Sequence, residues 1–393
     1  EGEGEGEGEG EGEGEGEGEG EGEGEGEDGD EEIGSGDADI TLSCDGITVD
    51  GTGAYADGNI VIISDAGDYR ISGTLCDGQV IIDTADAEAV QVTLKGVDIT
   101  CSYSSPFYIA ASEDVIIVLE DGSQNVLTDS ANYVFENAET DEPNAALFSK
   151  ADLKIKGNGS LTVHGNYNDG ITSKDSLKIK SGTYVITAKD DGLRGKDEVT
   201  IEDGNFTITA SGDGITSDNE EDAERGFIDI SGGTFDIIAT GDGMAAYTDI
   251  IVSGGDFSIT TGGGSNMTVA DTESAKGIKA DGSVTVSDGV FTIDSADDCL
   301  HSNGDVFITG GDFTISASLG SGGGDQNQGG QDGMHADNYL QIDGGSINIT
   351  KSYEGLEALH IIINDGNIHI KSTDDGVNCA GGDGSGGWQP GGG

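Results

Sequence analysis

From residue 182 onward a short phrase recurs at a nearly constant interval. The turn glycines Gly182, Gly204, Gly233, Gly255, Gly289, Gly311, Gly345 and Gly366 are separated by 22, 29, 22, 34, 22, 34 and 21 residues, a spacing of 22 with insertions of 7 and, twice, 12. A period in this range marks a repeat unit that cannot bury its apolar side alone and must stack on its neighbours. Behind each glycine the chain alternates apolar and polar residues, as in Gly204-Asn-Phe-Thr-Ile-Thr-Ala and Gly311-Asp-Phe-Thr-Ile-Ser-Ala. This is the period of a short strand with one face buried.

The alternation places Tyr184, Phe206, Phe235, Phe257, Phe291 and Phe313 in one apolar column and Ile186, Ile208, Ile237, Ile259, Ile293 and Ile315 in another. A second short strand, Asp-Gly-Ile-Thr-Ser or a variant, follows about ten residues after the turn glycine, and a third, such as Val199-Thr-Ile201 or Val306-Phe-Ile308, closes the unit. Three short strands in about 22 residues with Gly and Asp corners predict an all-β fold, one coil per repeat of a parallel β-helix, with coils about 4.8 Å apart. An antiparallel sandwich would need hairpin turns and would not hold this register.

Residues 159–380 carry the regular coils, and residues 37–158 read as irregular first coils, with runs such as Val80-Ile-Ile82 and Val115-Ile-Ile-Val-Leu119. Residues 1–36 form an acidic linker, with strict Glu-Gly alternation from Glu1 to Gly26, and residues 381–393 a Gly-rich tail; neither can bury a core, so both are expected to be disordered. The five cysteines, Cys44, Cys76, Cys101, Cys299 and Cys379, lack metal-site spacing and are expected to be small buried side chains.

Charge narrows the partners. The chain has 78 acidic against 16 basic residues, a net charge of -62, which excludes nucleic acid as a partner. Like charges at this density repel unless cations bind or screen them, so a divalent metal is the first cofactor to expect. No apolar run approaches the roughly 18 residues of a membrane span, and no signal peptide precedes Glu1; the chain reads as a mature product whose export signal has been removed.

The chemistry-bearing residues fall on the second strand. The apolar residue of Asp-Gly-Ile-Thr-Ser and the small residue two later share a parity and should point inward, so the residue between them should face solvent. That outward column reads Thr172, Arg194, Thr216, Ala245, Lys279, His301, His335, Glu357 and Asn378. Beside it runs an acid ladder, Asp169, Asp191, Asp213, Asp242, Asp298, Asp332, Glu354 and Asp375, doubled by Asp190, Asp297 and Asp374. A further acid or amide column follows with Asp175, Asp197, Asp218, Asp281, Asn303 and Asp337.

Carboxylates stacked at strand spacing need raised pKa values or a cation between them, and Ca2+, which takes six to eight hard oxygens, suits such a ladder. The expected metal ligands are Asp190, Asp191, Asp213, Asp297, Asp298, Asp332, Glu354, Glu357, Asp374 and Asp375. The competing reading is structural: Asx side chains that shape Gly corners by bonding backbone. A flat repeating column suits an extended polymer, so the expected polysaccharide contacts are Thr172, Arg194, Thr216, Lys279, His301, His335, Glu357, Asn378 and Tyr353. Tyr167, Tyr247 and Tyr339 are further stacking candidates. His164, His360 and His369 read as incidental strand residues. A lyase acting on acidic polysaccharide is the alternative, with Ca2+ holding a uronate carboxylate and Arg194 or Lys279 as base. A surface or filament protein of stacked solenoids is the third reading.

The motifs Tyr69-Arg-Ile-Ser-Gly-Thr-Leu75, Val97-Asp-Ile-Thr100, Pro143-Asn-Ala-Ala-Leu-Phe-Ser149, Asn166-Tyr-Asn-Asp-Gly-Ile171, Asp190-Asp-Gly-Leu-Arg-Gly-Lys196, Asp213-Gly-Ile-Thr-Ser-Asp-Asn-Glu-Glu-Asp222, Tyr353-Glu-Gly-Leu-Glu-Ala358 and Asp374-Asp-Gly-Val-Asn378 together carry a resemblance. The chain, from about residue 38 to 380, resembles a bacterial family of secreted or lipid-anchored carbohydrate-binding domains, long a domain of unknown function. The resemblance implies a pectate-lyase-like right-handed β-helix that binds cellulose or pectin-type polyuronate with Ca2+ and without cleavage. It also implies export to the cell surface or beyond. A monomer is expected, with end-to-end self-association open to it.

Overall fold

The computed structural model describes residues 34–135, 140–270, 273–319 and 331–379. The acidic segment through residue 33 and the tail from residue 380 lie outside the described residues. Residues 34–36, assigned to the linker above, already belong to the fold: Gly36 N–H donates to Ala66 O at 2.8 Å and Gly34 N–H to Ala89 O at 3.2 Å.

All helix and strand structure among the described residues is strand, from Gly36–Ser43 to Val377–Asn378. The strands form one large, mostly parallel sheet system consistent with a β-helical solenoid. The first strands of successive units pair in register, Thr183–Ala188 with Asn205–Ala210 and Asn205–Ala210 with Thr234–Ala239. Second strands pair only with second strands, and third with third, as Leu193 with Ile215 and Val199 with Ile228. Each strand thus finds its partners one repeat away.

The two apolar columns stack inside. Tyr184, Phe206, Phe235, Phe257, Phe291 and Phe313 lie ring on ring at centroid separations of 4.8, 4.7, 4.7, 4.8 and 4.5 Å, all within 6° of parallel. Each stacked pair is worth about 0.5–1.5 kcal/mol beyond the area it buries. The turn glycine follows from this packing. Gly204 has φ of 144°, and a Cβ there would meet the Phe206 ring at 2.8 Å.

The N-terminal end departs from the expected parallel coils. Gly36–Ser43 pairs in parallel with Gly67–Leu75 but antiparallel with Gly46–Thr52, and Ala54–Asp57 pairs antiparallel with Ile60–Ile63. Two hairpins therefore cover the first coil, a solution open to a terminal repeat that has no neighbour on one side. The cysteine expectation is also corrected in part. Cys44 and Cys76, with Cα atoms 4.9 Å apart, form a disulfide that ties this cap to the coil beneath, whereas Cys101 and Cys299 are buried thiols and Cys379 is exposed.

Candidate functional site

The second strand is set by close packing at its Asp-Gly corner. A Cβ on Gly192 would sit 2.5 Å from Ile208 Cγ2 and 2.6 Å from the Gly214 carbonyl oxygen, so only Gly lets the corner approach the next coil. Residues two apart then point inward: Ile171 with Ser173, Leu300 with Ser302 and Met334 with Ala336 are all buried. The residue between them joins a continuous column, in which Thr172 pairs with Arg194, Arg194 with Thr216, Lys279 with His301, His301 with His335, His335 with Glu357 and Glu357 with Asn378. The column runs further upstream than the sequence indicated, through Phe148, Tyr108 and Ile81.

The column is not uniformly open. Thr172 and Thr216, expected to face solvent, are only 2% and 7% exposed. Both are short side chains beside long ones, Thr172 between Phe148 and Arg194 and Thr216 below Arg194, whose guanidinium reaches on to Asp218. Arg194, Lys279, His301, His335, Glu357 and Asn378 are half-buried.

Ladder and column are one structure. One carboxylate oxygen of each upstream ladder acid accepts the backbone N–H of the next ladder residue: Asp213 N to Asp191 Oδ1 at 2.8 Å, Asp242 N to Asp213 Oδ1 at 2.7 Å and Lys276 N to Asp242 Oδ1 at 2.6 Å. To this extent the acids are corner-shaping residues. The other oxygen turns to the column. Asp169 Oδ2 accepts from Thr172 Oγ1 at 2.9 Å and lies 3.9 Å from Arg194 Nη1, and Asp242 Oδ2 lies 3.6 Å from Lys279 Nζ. Downstream, His301 Nδ1 meets Asp298 Oδ2 at 2.9 Å, His335 Nδ1 meets Asp332 Oδ2 at 3.2 Å, and Asn378 Nδ2 donates to Glu354 Oε2 at 2.7 Å.

Lys276 occupies a ladder position and marks a change in electrostatics. Upstream of it, burial lifts Asp169 and Asp213 to about 6, and burial together with the charges of Asp169 and Asp213 lifts Asp191 to about 8. Asp190 and Asp191 converge above a glycine: a Cβ on Gly212 would lie 2.4 Å from Asp190 Oδ1 and 2.5 Å from Asp191 Oδ1. This is a hard-oxygen cradle with negative charge to spare, a donor set that fits Ca2+. Downstream, Lys276 Nζ donates to Asp297 Oδ2 at 2.7 Å, and Asp298 is held below the usual carboxylate range because the His301 hydrogen bond and nearby cations outweigh its burial. The pair Asp297 and Asp298 therefore has its charge answered already. Asp374 and Asp375 are exposed, Tyr353 bonds Asp374, and burial raises Glu354.

Arg194 stays charged. Burial works against it, but Asp218 and Asp169 raise its pKa, which suits a fixed cation and not a group that removes a proton. At the downstream end Asp332, His335 and Glu357 offer one ligand atom each, all within 4.8 Å of one another. The His335 hydrogen bond lowers Glu357, and hydrogen bonds to Asp332 and Glu357 raise His335 against its burial.

Several partners were missed as site residues. Asp218, Asn303 and Asp337 contact the polar ends of Arg194, His301 and His335. Their signal was the shared parity two residues after the column. Tyr133, which stacks on Tyr167 at 4.2 Å near the upstream end, had no repeat to announce it. Tyr339 lies against His360 with ring centroids 4.8 Å apart and the planes tilted by 31°, and Tyr247 is exposed without a ring partner among the described residues.

The model of the carbohydrate-binding domain-containing protein family matches residues 57–323 and 319–376. The chain belongs to this carbohydrate-binding domain family. A family relative from Acetivibrio thermocellus, a carbohydrate-binding domain-containing protein, is 44% identical over 128 residues, 33% of this chain. That match spans 45% of the relative's own length. Among solved structures, the gadolinium derivative of the polysaccharide lyase-like protein from C. thermocellum is 36% identical, with a TM-score of 0.59 over 64% of this chain and 96% of its own. The family match covers the ladder and the column as far as Glu357, and no helix among the described residues is long and apolar enough to cross a membrane.

Proposed function

We propose that this carbohydrate-binding domain holds cell-wall polysaccharide, cellulose or pectin-like polyuronate, along the second-strand face without cleaving it, with Ca2+ at the upstream ladder. The observation that carries the reading is the column in register from Thr172 to Asn378, in which half-buried Arg194, Lys279, His301, His335, Glu357 and Asn378 repeat polar side chains beside a ladder made mostly of acids. A flat row of this kind meets an extended chain of sugars at several points, each weak and together strong. Asp190, Asp191 and Asp213 would hold Ca2+, which supplies the positive charge that a uronate carboxylate needs on an otherwise acidic surface.

We read the solenoid as right-handed with about 22 residues per coil, as in the sequence analysis. The Cys44–Cys76 disulfide favours an oxidising location, extracellular or on the cell surface. A monomer suffices for this activity, because one chain carries the whole face.

The test is retention on insoluble cellulose and on immobilised polygalacturonate, with Ca2+ or chelator, while absorbance of an unsaturated product is followed. Ca2+-dependent retention without absorbance is the expected result. Steady growth of absorbance would replace the binder with a lyase, and no retention on either polymer would remove the polysaccharide reading.

A further inference from the structure

The two histidines of the column stack at 4.8 Å on adjacent coils, yet their surroundings differ in ways that matter. His301 has an ordinary arrangement. Its Nδ1 meets one carboxylate, Asp298 Oδ2 at 2.9 Å, its Nε2 meets Asn303 Oδ1 at 3.0 Å, and the remaining oxygen of Asp298 accepts Asp332 N–H at 2.6 Å. Every polar atom there has a use.

His335 has the same frame with an acid added and a bond missing. Its Nε2 meets the Asp337 carboxylate at 3.2 Å, an acid where His301 has the amide of Asn303. Nδ1 then faces two carboxylates, Asp332 Oδ2 at 3.2 Å and Glu357 Oε2 at 3.4 Å. The ladder hydrogen bond that occupies Oδ1 of Asp298 has no counterpart here. Asp332 is 3% exposed, and its Oδ1 is buried with no hydrogen-bond partner. One imidazole nitrogen, two carboxylates and an unused buried oxygen call for a positive charge among them, which a bound cation supplies in place of a proton.

We propose that Asp332, His335 and Glu357 form a site for a borderline divalent ion of the Zn2+ class, distinct in chemistry from the all-oxygen Ca2+ cradle at Asp190 and Asp191. An imidazole nitrogen with two carboxylates matches the ligand preference of Zn2+ and its neighbours, whereas Ca2+ is bound through oxygen. Asp337 plays the outer part that fixes the ring of a metal-bound histidine. Three protein ligands leave a coordination position open on the side where Glu357 is half-buried, so a water or a sugar hydroxyl can complete the sphere. The inference stands whether or not the face binds polysaccharide.

The full chain, stripped of metal, is titrated with Co2+ and followed by visible absorption, then challenged with Zn2+ and with Ca2+. The expected result is one saturable Co2+ site with d–d bands and no thiolate charge-transfer band, displaced by equimolar Zn2+ but not by a large excess of Ca2+. His335→Gln should weaken binding by about 100-fold or more, beyond the roughly 10–100-fold cost of losing an outer partner. His301→Gln should leave it unchanged. Should His335→Gln fail to fold, Glu357→Gln is titrated in its place, with circular dichroism to verify the fold, and the same loss is expected. Absence of saturable binding, equal binding in the His335 or Glu357 variant, or displacement by equimolar Ca2+ would overturn the proposal. The first of these outcomes would mean that the cluster is held together by protons alone.

Discussion

The reach from Asp169 to Asp242 and the reach from Asp298 to Glu357 use the same Asp-Gly corner, strand register and buried Ile and Phe columns. They differ in what answers the acids. Upstream, Arg194 and Lys279 serve the ends of the row, Asp169 and Asp242, while Asp191 has Asp169 and Asp213 as its ladder neighbours. Downstream, an imidazole stands beside Asp298 and beside Asp332 and the Asn378 amide beside Glu354, and Lys276 sits at the boundary bonded to Asp297. One backbone therefore supports two electrostatic regimes, because the repeat sets where a side chain sits but leaves the exposed residue to vary. The upstream reach is short of positive charge in bulk, whereas the downstream reach is short of it at one point, around Asp332.

The comparison can be broken at the shared scaffold first. Phe257 lies between the two reaches, ring-stacked on Phe235 and Phe291, and Phe257→Ala should cost about 3–5 kcal/mol in denaturant unfolding. Both reaches should lose stability in one transition; two separated transitions would mean that the core does not couple them. Next, Asp191→Asn should abolish stabilisation by Ca2+, which for the parent chain amounts to about 2.7 kcal/mol at a hundredfold excess over Kd. Equal Ca2+-induced shifts in melting temperature for parent and variant would place the cation elsewhere.

The pH response has a definite sign. Folded Asp169, Asp191 and Asp213 bind protons more tightly than the unfolded chain does, so folding takes up protons between the ordinary carboxylate range and pH 6 to 8. In chelator, melting temperature should fall as pH rises from about 4 to about 8, and Ca2+ should flatten that decline. A flat profile in chelator would show that the ladder is not strained by its own charge. Removing a column cation should have a smaller effect: Arg194→Ala should weaken retention on polygalacturonate about tenfold, near 1.4 kcal/mol. Smallest of all, Thr216→Val should leave retention within about twofold, because Thr216 is buried and cannot reach a ligand; a larger loss would mean that the face opens on binding.

The architecture was legible because it is periodic. The aromatic and Ile columns, inferred from recurrence at the turn glycines, are ring-stacked and buried, and the inward parity of Ile171 and Ser173 followed from strand alternation alone. What broke the period was not legible. The antiparallel cap at Gly46–Thr52, the Cys44–Cys76 bridge and the stacking of Tyr133 on Tyr167 depend on contacts that no repeat encodes. Thr172 and Thr216 were misjudged for a related reason: parity gives the side on which a residue lies, but the length of its neighbours decides whether water reaches it.

By itself, the sequence determined the stack of strands, the membership of ladder and column, and the excess of acid along them. These follow from period and composition, which are local properties. Only the tertiary structure decided how each acid spends its two oxygens. That choice is made across coils, where Asp298 bonds the next backbone amide and Asp332 does not, over separations of 34 and 22 residues that periodicity alone treats as equivalent.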